Sequence, residues 1–300
     1  MTTDGSVAAR PRRSVLYMPG SNARALEKAK TLPADALILD LEDAVAPDAK
    51  AEARAQVCGA VKDGGYGGRE IIIRANGADT PWGDDDLKAA AAAGPDAILL
   101  PKVESAQMVQ EAEQKIDAAG ASDKTRIWCM METPRGILHA EEIAASTKRL
   151  ACFVMGTSDL TKDLHALHTP ARLPMLPSLS ICLLAARAEG LAIVDGVYLD
   201  LKNETGFCDA CTQGQELGFD GKTLIHPSQV GPANEVFGPS ADEVDLSRRV
   251  IEAFAQADAE GKAVVVVDGK LVENLHVENA KRIVGLADAI YRLEQESATA

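Results

Sequence analysis

Eight short apolar runs, each followed by a polar or alanine-rich amphipathic stretch, narrow what this chain can fold into more than any other feature. The runs lie at 14–18, 36–41, 70–74, 97–101, 126–131, 151–155, 193–198 and 222–225. They are rich in Val, Ile and Leu, and nearly continuous in hydrophobicity rather than alternating. That is the signature of parallel strands buried on both faces. Stretches such as 23–31, 49–62, 84–93, 106–119, 137–147, 178–189 and 204–217 read as helices between them. Strand then helix, repeated eight times, predicts a (β/α)8 TIM barrel. A doubly wound open sheet gives a similar local signal.

The residues that follow the strands favour the barrel. They include Pro19-Gly20-Ser21-Asn22, Glu42-Asp43, Ala75-Asn76, Lys102-Val103-Glu104, Glu132-Thr133-Pro134-Arg135, Gly156-Thr157-Ser158-Asp159 and His226-Pro227-Ser228. Polar groups from so many strand ends converge only if those ends share one rim. An open sheet would gather its site at one or two switch-point crevices.

After residue 228 the pattern changes. A helix is expected over 242–259, a short hairpin around Asp268-Gly269-Lys270, and a second helix over 277–292. Asp-Gly is a strong hairpin turn signal. The predicted organisation is a catalytic TIM barrel over 1–230 with a C-terminal helical and hairpin extension over 231–300. The extension is too small for a secure core of its own, so it should pack on the barrel or on a neighbouring subunit.

Charge and composition exclude several classes. Lys and Arg number 31 against 45 Asp and Glu, a net charge of −14. A duplex nucleic-acid binder would need a basic face, so no nucleic-acid partner is expected. No apolar run reaches the ~18–20 residues of a membrane span, so no membrane partner is expected either. The first 13 residues carry basic groups but no apolar segment of the kind a secretory leader has. Six cysteines are too sparse for a disulfide scaffold, which predicts a cytoplasmic protein with reduced thiols. Cys208-x-x-Cys211 is a lone pair inside a helix-like stretch, a weak zinc signal. There is no Gly-x-Ser-x-Gly elbow for a serine hydrolase and no phosphate-binding P-loop.

Five acids close strand-like runs: Glu42, Asp43, Glu104, Glu132 and Asp159. Carboxylates on one rim repel unless a cation neutralises them. Mg²⁺, with Mn²⁺ as its substitute, suits one or two carboxylates and completes its octahedron with water and substrate oxygens. Glu132 and Asp159 form the best pair, from adjacent strand ends. The competing account makes such acids helix N-caps, a common place for Asp and a poor one for Glu. Arg74 ends a buried strand and needs an anion, either Glu42 or substrate. Arg12, Arg13, Arg24, Lys28 and Lys30 surround the first strand, as a solvated face or as a phosphate-binding patch.

Six ordered segments carry a resemblance. They are Arg13-Ser14-Val15-Leu16-Tyr17-Met18-Pro19-Gly20-Ser21, Leu39-Asp40-Leu41-Glu42-Asp43-Ala44-Val45, Ile73-Arg74-Ala75-Asn76, Leu100-Pro101-Lys102-Val103-Glu104, Met131-Glu132-Thr133-Pro134-Arg135-Gly136 and Gly156-Thr157-Ser158-Asp159-Leu160. Together they resemble the HpcH/HpaI aldolase and citrate lyase β-subunit family, and within it the CoA-ester lyases. The resemblance implies a Mg²⁺-dependent barrel, trimeric or hexameric, acting beside a CoA thioester. It implies Glu132 and Asp159 as metal ligands, and Arg74 facing the thioester enolate. Glu42 and Asp43 would stand near Arg74 and the metal waters, with Tyr17 and Lys28 in contact with CoA. Asn22 replaces an arginine found there in some relatives, and Arg24 would substitute for it. Glu273 matches an acid/base Asp that a neighbouring subunit delivers in many family lyases.

Three activities are compatible with that reading. The leading one is retro-Claisen cleavage of a 3-hydroxyacyl-CoA, such as malyl-, methylmalyl-, citramalyl- or citryl-CoA, to a 2-oxoacid and acetyl- or propionyl-CoA. The first alternative is (3S)-malyl-CoA thioester hydrolysis on the same site, since the Val-Glu-Asn-Leu-His ending at 272–276 resembles a subgroup that includes such thioesterases. The second is a citrate lyase β-type subunit that works only in a complex.

Overall fold

The computed structural model describes residues 10–299. Contacts divide the chain into a barrel unit, Arg12–Phe237, and a second unit that contains Gly238–Thr299. In the barrel unit the strands are β1 (Ser14–Pro19), β2 (Ala36–Asp40), β3 (Glu70–Arg74), β4 (Ala97–Leu100), β5 (Arg126–Met131), β6 (Leu150–Met155), β7 (Ala192–Asp195) and β8 (Gly221–Leu224). All pair in parallel with their sequence neighbours, and β1 with β8 closes the barrel. The open-sheet alternative is excluded. Every strand therefore ends on the same rim.

Two apolar layers explain the continuous hydrophobicity of the strands. Val15, Ile38, Ile72, Leu99, Trp128, Met130, Val154 and Val194 fill the barrel interior. Leu16, Leu37, Leu39, Ile73, Ile98 and Phe153 face outward and are buried beneath the surrounding helices. The helices are α1 (Ala23–Ala29), α2 (Lys50–Asp63), α3 (Gly83–Ala93), α4 (Ala106–Ala118), α5 (Pro134–Leu138), α6 (Ala140–Ala144), α7 (Thr157–Asp163), α8 (Leu176–Ala188), α9 (Glu204–Leu217) and α10 (Val230–Phe237). At the N-terminal end of the strands Arg12 forms a two-point ion pair with Glu70 and lies 5.2 Å from the Trp128 ring centroid. This polar plug closes the bottom of the barrel.

β7 ends at Asp195, short of the apolar run in the sequence. Asp195 is fully buried and takes Lys222 at 2.7 Å and Arg172 at 2.6 Å. Tyr198 leaves the sheet to pack edge-on against Phe207.

In the second unit, α11 (Ala241–Ala259) starts on a capping box of Ser240 and Glu243. β9 (Val265–Val267) and β10 (Lys270–Val272) pair across Asp268 and Gly269, whose φ angles are +51° and +76°. Two left-handed residues match the twist of a tight hairpin. α12 (Asn274–Thr299) packs on α11 through Val250, Val277 and Ala280.

All six cysteines are free thiols, and Cys208 and Cys211 lie on α9. Among the described residues no helix is long and apolar enough to cross a membrane.

Candidate active site on the C-terminal rim

Arg74 closes β3 directly opposite Asp40, the last residue of β2. Its Nε and Nη2 both donate to the Asp40 carboxylate at 2.6 Å. Asp40 is saturated, because it also accepts the backbone N–H groups of Glu42 at 2.9 Å and Ala44 at 3.1 Å. The sequence pointed to Glu42 as the partner of Arg74; Asp40 is the stronger one. Glu42 does contribute, with Oε2 at 2.7 Å from Nη1 but out of hydrogen-bond alignment. Asp43 lies further out at 3.3 Å, with an exposed side chain. One face of the guanidinium covers the Tyr17 ring at 4.9 Å.

Tyr17 thus sits beneath Arg74, its hydroxyl donating to Met130 Sδ at 3.4 Å. Burial pushes that hydroxyl up in pKa, so it is a neutral donor. The loop that carries Glu42 is bolted from outside by Lys50, whose ammonium donates to the carbonyls of Leu41 and Glu42 at 2.8 and 2.7 Å. Asn76 adds a bond to the Leu41 carbonyl at 2.9 Å.

Glu132 follows β5 and is 2% exposed. Its Oε1 accepts the Lys102 backbone N–H at 2.8 Å. Burial, then the charge of Glu42, pushes its pKa up to about 7, against the pull of Lys102 and Arg74. Glu42 is likewise raised, by burial first, and opposed by Arg74 and Lys102. Thr133, not Glu132, caps α5 by accepting the Gly136 N–H at 3.0 Å. Asp159 stands in the first turn of α7 without capping it and pairs with Lys162 at 3.1 Å. The N-cap account therefore describes neither acid.

Glu132 lies against Gly156, the residue that opens the β6–α7 connection. A Cβ on Gly156 would collide with the Cβ and Oε2 of Glu132. Asp159 lies three residues further on, in the first turn of α7.

The donor set suits a hard divalent cation. A buried carboxylate whose charge is answered mainly by one backbone N–H is under-compensated, as its raised pKa records. Among the described residues no group of three or more His, Cys, Asp or Glu side chains forms a cage. Glu132 and Asp159 alone would leave most of an octahedral shell to water and substrate oxygens, which suits Mg²⁺ rather than a closed structural site.

Arg24 and Lys28 are exposed on α1, one helical turn apart. Asn22 caps that helix by accepting the Ala25 N–H at 3.1 Å. Glu273 is exposed between β10 and α12 in the second unit, and its N–H donates to His276 Nδ1 at 3.0 Å. Sequence reasoning assigned no role to Asp40 or to Lys102. The signal for Asp40 was an acid buried inside an otherwise apolar run.

Residues 13–227 match the family model described as HpcH/HpaI aldolase/citrate lyase. A (3S)-malyl-CoA thioesterase of Cereibacter sphaeroides is 53% identical over 282 residues, 94% of this chain and 96% of that protein. The citrate lyase subunit beta of Escherichia coli is 37% identical over 284 residues, 93% and 94% of the two chains. Among solved structures, CitE from Mycobacterium tuberculosis, in complex with magnesium, acetoacetate and coenzyme A, superposes with a TM-score of 0.72 at 28% identity. That match covers 94% of this chain and 99% of the other. With six ordered motifs, a closed eight-stranded barrel and near-full-length relatives, the chain belongs to the HpcH/HpaI aldolase/citrate lyase family.

Proposed function

We propose that this protein is a Mg²⁺-dependent thioesterase acting on a 3-hydroxyacyl-CoA of the malyl-CoA class. The observation that carries the reading is the 53% identity, over nearly the whole of both chains, to a protein named (3S)-malyl-CoA thioesterase. That relation favours hydrolysis over the retro-Claisen cleavage that heads the sequence reading.

Glu132 and Asp159 are the residues that would hold Mg²⁺, which when bound supplies Lewis acidity and fixes the acyl group's orientation. In hydrolysis a water oxygen adds to the thioester carbonyl, the carbon–sulfur bond breaks, and CoA leaves as a thiol. Negative charge gathers on the carbonyl oxygen as the water adds. Arg74 is the group to receive it. A guanidinium has five N–H donors, and the bonds to Asp40 and Asp43 engage three of them. Asp40 and Tyr17 hold its plane, so an oxyanion meets a donor that needs no reorganisation. Glu42, with Oε2 buried and unmatched by any aligned donor, is an acceptor for a water proton. Asp43 lies at the outer edge of the same group. Glu273 enters as an acid/base group on resemblance alone. Arg24 and Lys28 are cations suited to the phosphates of CoA.

On this reading the protein works in the cytoplasm as a homotrimer or homohexamer. Exposed apolar side chains on α8 and beyond β7, among them Ile181, Leu184, Leu199 and Leu201, support an assembled state.

The test is a product assay with (3S)-malyl-CoA and Mg²⁺, followed over time. Malate and free CoA in equal amounts from the earliest points are expected. Glyoxylate and acetyl-CoA would make the protein a lyase instead. Activity that returns only with added partner subunits would make it a citrate lyase β-type component.

A further inference from the structure

Lys102 lies two residues past the end of β4, on the rim between the strand ends that lead to Glu42 and Glu132. Its φ is +48°, a left-handed conformation that side-chain-bearing residues resist. Among the described residues only three other non-glycine positions share that sign, His165, Arg172 and Asp268. The conformation serves two bonds. It aims the Lys102 N–H at Glu132 Oε1, 2.8 Å away. It also brings Nζ to Glu42 Oε1 at 2.5 Å, although the side chain is 46% exposed.

We propose that Lys102 is a positioning residue that sets two carboxylates at once, Glu132 through its amide and Glu42 through its ammonium. The inference rests on the metal and thioesterase reading of this rim. The charge pattern gives the reason. Asp40, Glu42 and Asp43 all surround Arg74, and Glu132 is close by. Glu42 has a weaker claim on Arg74 than Asp40, because Asp40 already takes both parallel donors and Glu42 is not aligned. The ammonium pins Glu42 by Oε1 and leaves Oε2 turned toward Arg74 Nη1. Without it, repulsion from neighbouring acids would swing Glu42 away, and Oε2 would leave the place beside Arg74 from which it accepts a water proton. The peptide link to Glu132 would remain.

Two substitutions separate the two bonds. Lys102→Gly relaxes the left-handed backbone and keeps the N–H, but removes the ammonium. Lys102→Arg keeps a cation of similar reach. In Lys102→Gly we expect Mn²⁺ binding, read by electron paramagnetic resonance, and melting temperature to hold. We expect kcat for malyl-CoA hydrolysis to fall roughly 10²-fold, the usual loss when a group shifts by about 1 Å, with KM little changed. Lys102→Arg should restore much of that kcat. A crystal structure of Lys102→Gly should show Glu42 Oε2 withdrawn from Arg74. Wild-type kcat in Lys102→Gly, a loss shared equally by kcat, metal binding and melting temperature, or Glu42 unmoved in the crystal would each overturn the inference. Failure of the wild type to bind Mn²⁺ would overturn the metal reading and the inference with it. If the wild type binds Mn²⁺ but hydrolyses no malyl-CoA, the activity reading alone fails, and the crystal structure decides the role of Lys102.

Discussion

Asp40 grips Arg74 through two parallel hydrogen bonds of 2.6 Å between residues that face each other across β2 and β3. The fork needs a planar guanidinium, and a lysine offers only a point charge. Arg74→Lys should therefore lose roughly 10²–10³ in kcat, the usual cost of one oxyanion donor. Steady-state rates on malyl-CoA check this. A rate within a few-fold of wild type would make Arg74 a structural residue.

Gly156 gives a steric prediction. A methyl at this position meets the Cβ and Oε2 of Glu132. Gly156→Ala should push the carboxylate aside and weaken Mn²⁺ binding by about 10–100-fold, as disturbed ligand orientation does elsewhere. Calorimetric titration of the metal measures the effect. Unchanged affinity would place the metal away from Glu132.

Glu132→Gln and Asp159→Asn should each abolish Mg²⁺-dependent turnover, and EDTA should do the same to wild type. The metal-free proteins should diverge in stability. Burial raises the Glu132 pKa from 4.5 to about 7. The folded chain then holds a proton that the unfolded chain releases, so this group's contribution to stability falls as pH rises from about 4.5 to 7. At pH 8 the charged form costs on the order of 3 kcal/mol. Glu132→Gln removes that cost, so its metal-free form should melt no lower than wild type at pH 8. A clear drop in melting temperature would mean that the carboxylate stabilises the fold.

The same pKa sets how metal binding responds to acid. A ligand must lose its proton to bind, so Mg²⁺ affinity should rise with pH and level off above about 7. Below that point it should fall about tenfold per pH unit. Binding isotherms across pH 5.5–8.5 read this directly, and a flat profile over that range would contradict the assignment of Glu132.

Glu273→Ala should slow turnover by about 10²–10⁴, the usual reach of a general acid or base. Mn²⁺ affinity should stay at the wild-type level. Full activity would remove Glu273 from the mechanism.

The strands were legible because their burial on both faces leaves an unbroken apolar run, and the shared rim followed from the polar residues behind each run. Asp40 shows where sequence stops. An acid one residue inside the apolar run 36–41 reads as part of the strand, and only the pairing of β2 with β3 sets it opposite Arg74. Lys102 was visible within a motif, but the sign of its φ is a property of the closed rim. Tyr17 and Arg74 are far apart in sequence and meet only because alternate residues of β1 and β3 turn toward one interior.

The plug of Arg12, Glu70 and Trp128 makes the barrel a cup with a single mouth. Whatever enters at the C-terminal rim must leave through it. Under the proposed reaction two unequal products share that exit, a small dicarboxylate held by the metal ligands below and a bulky coenzyme above. Under that reading the coenzyme leaves first, and the acid should be the product that competes with fresh substrate.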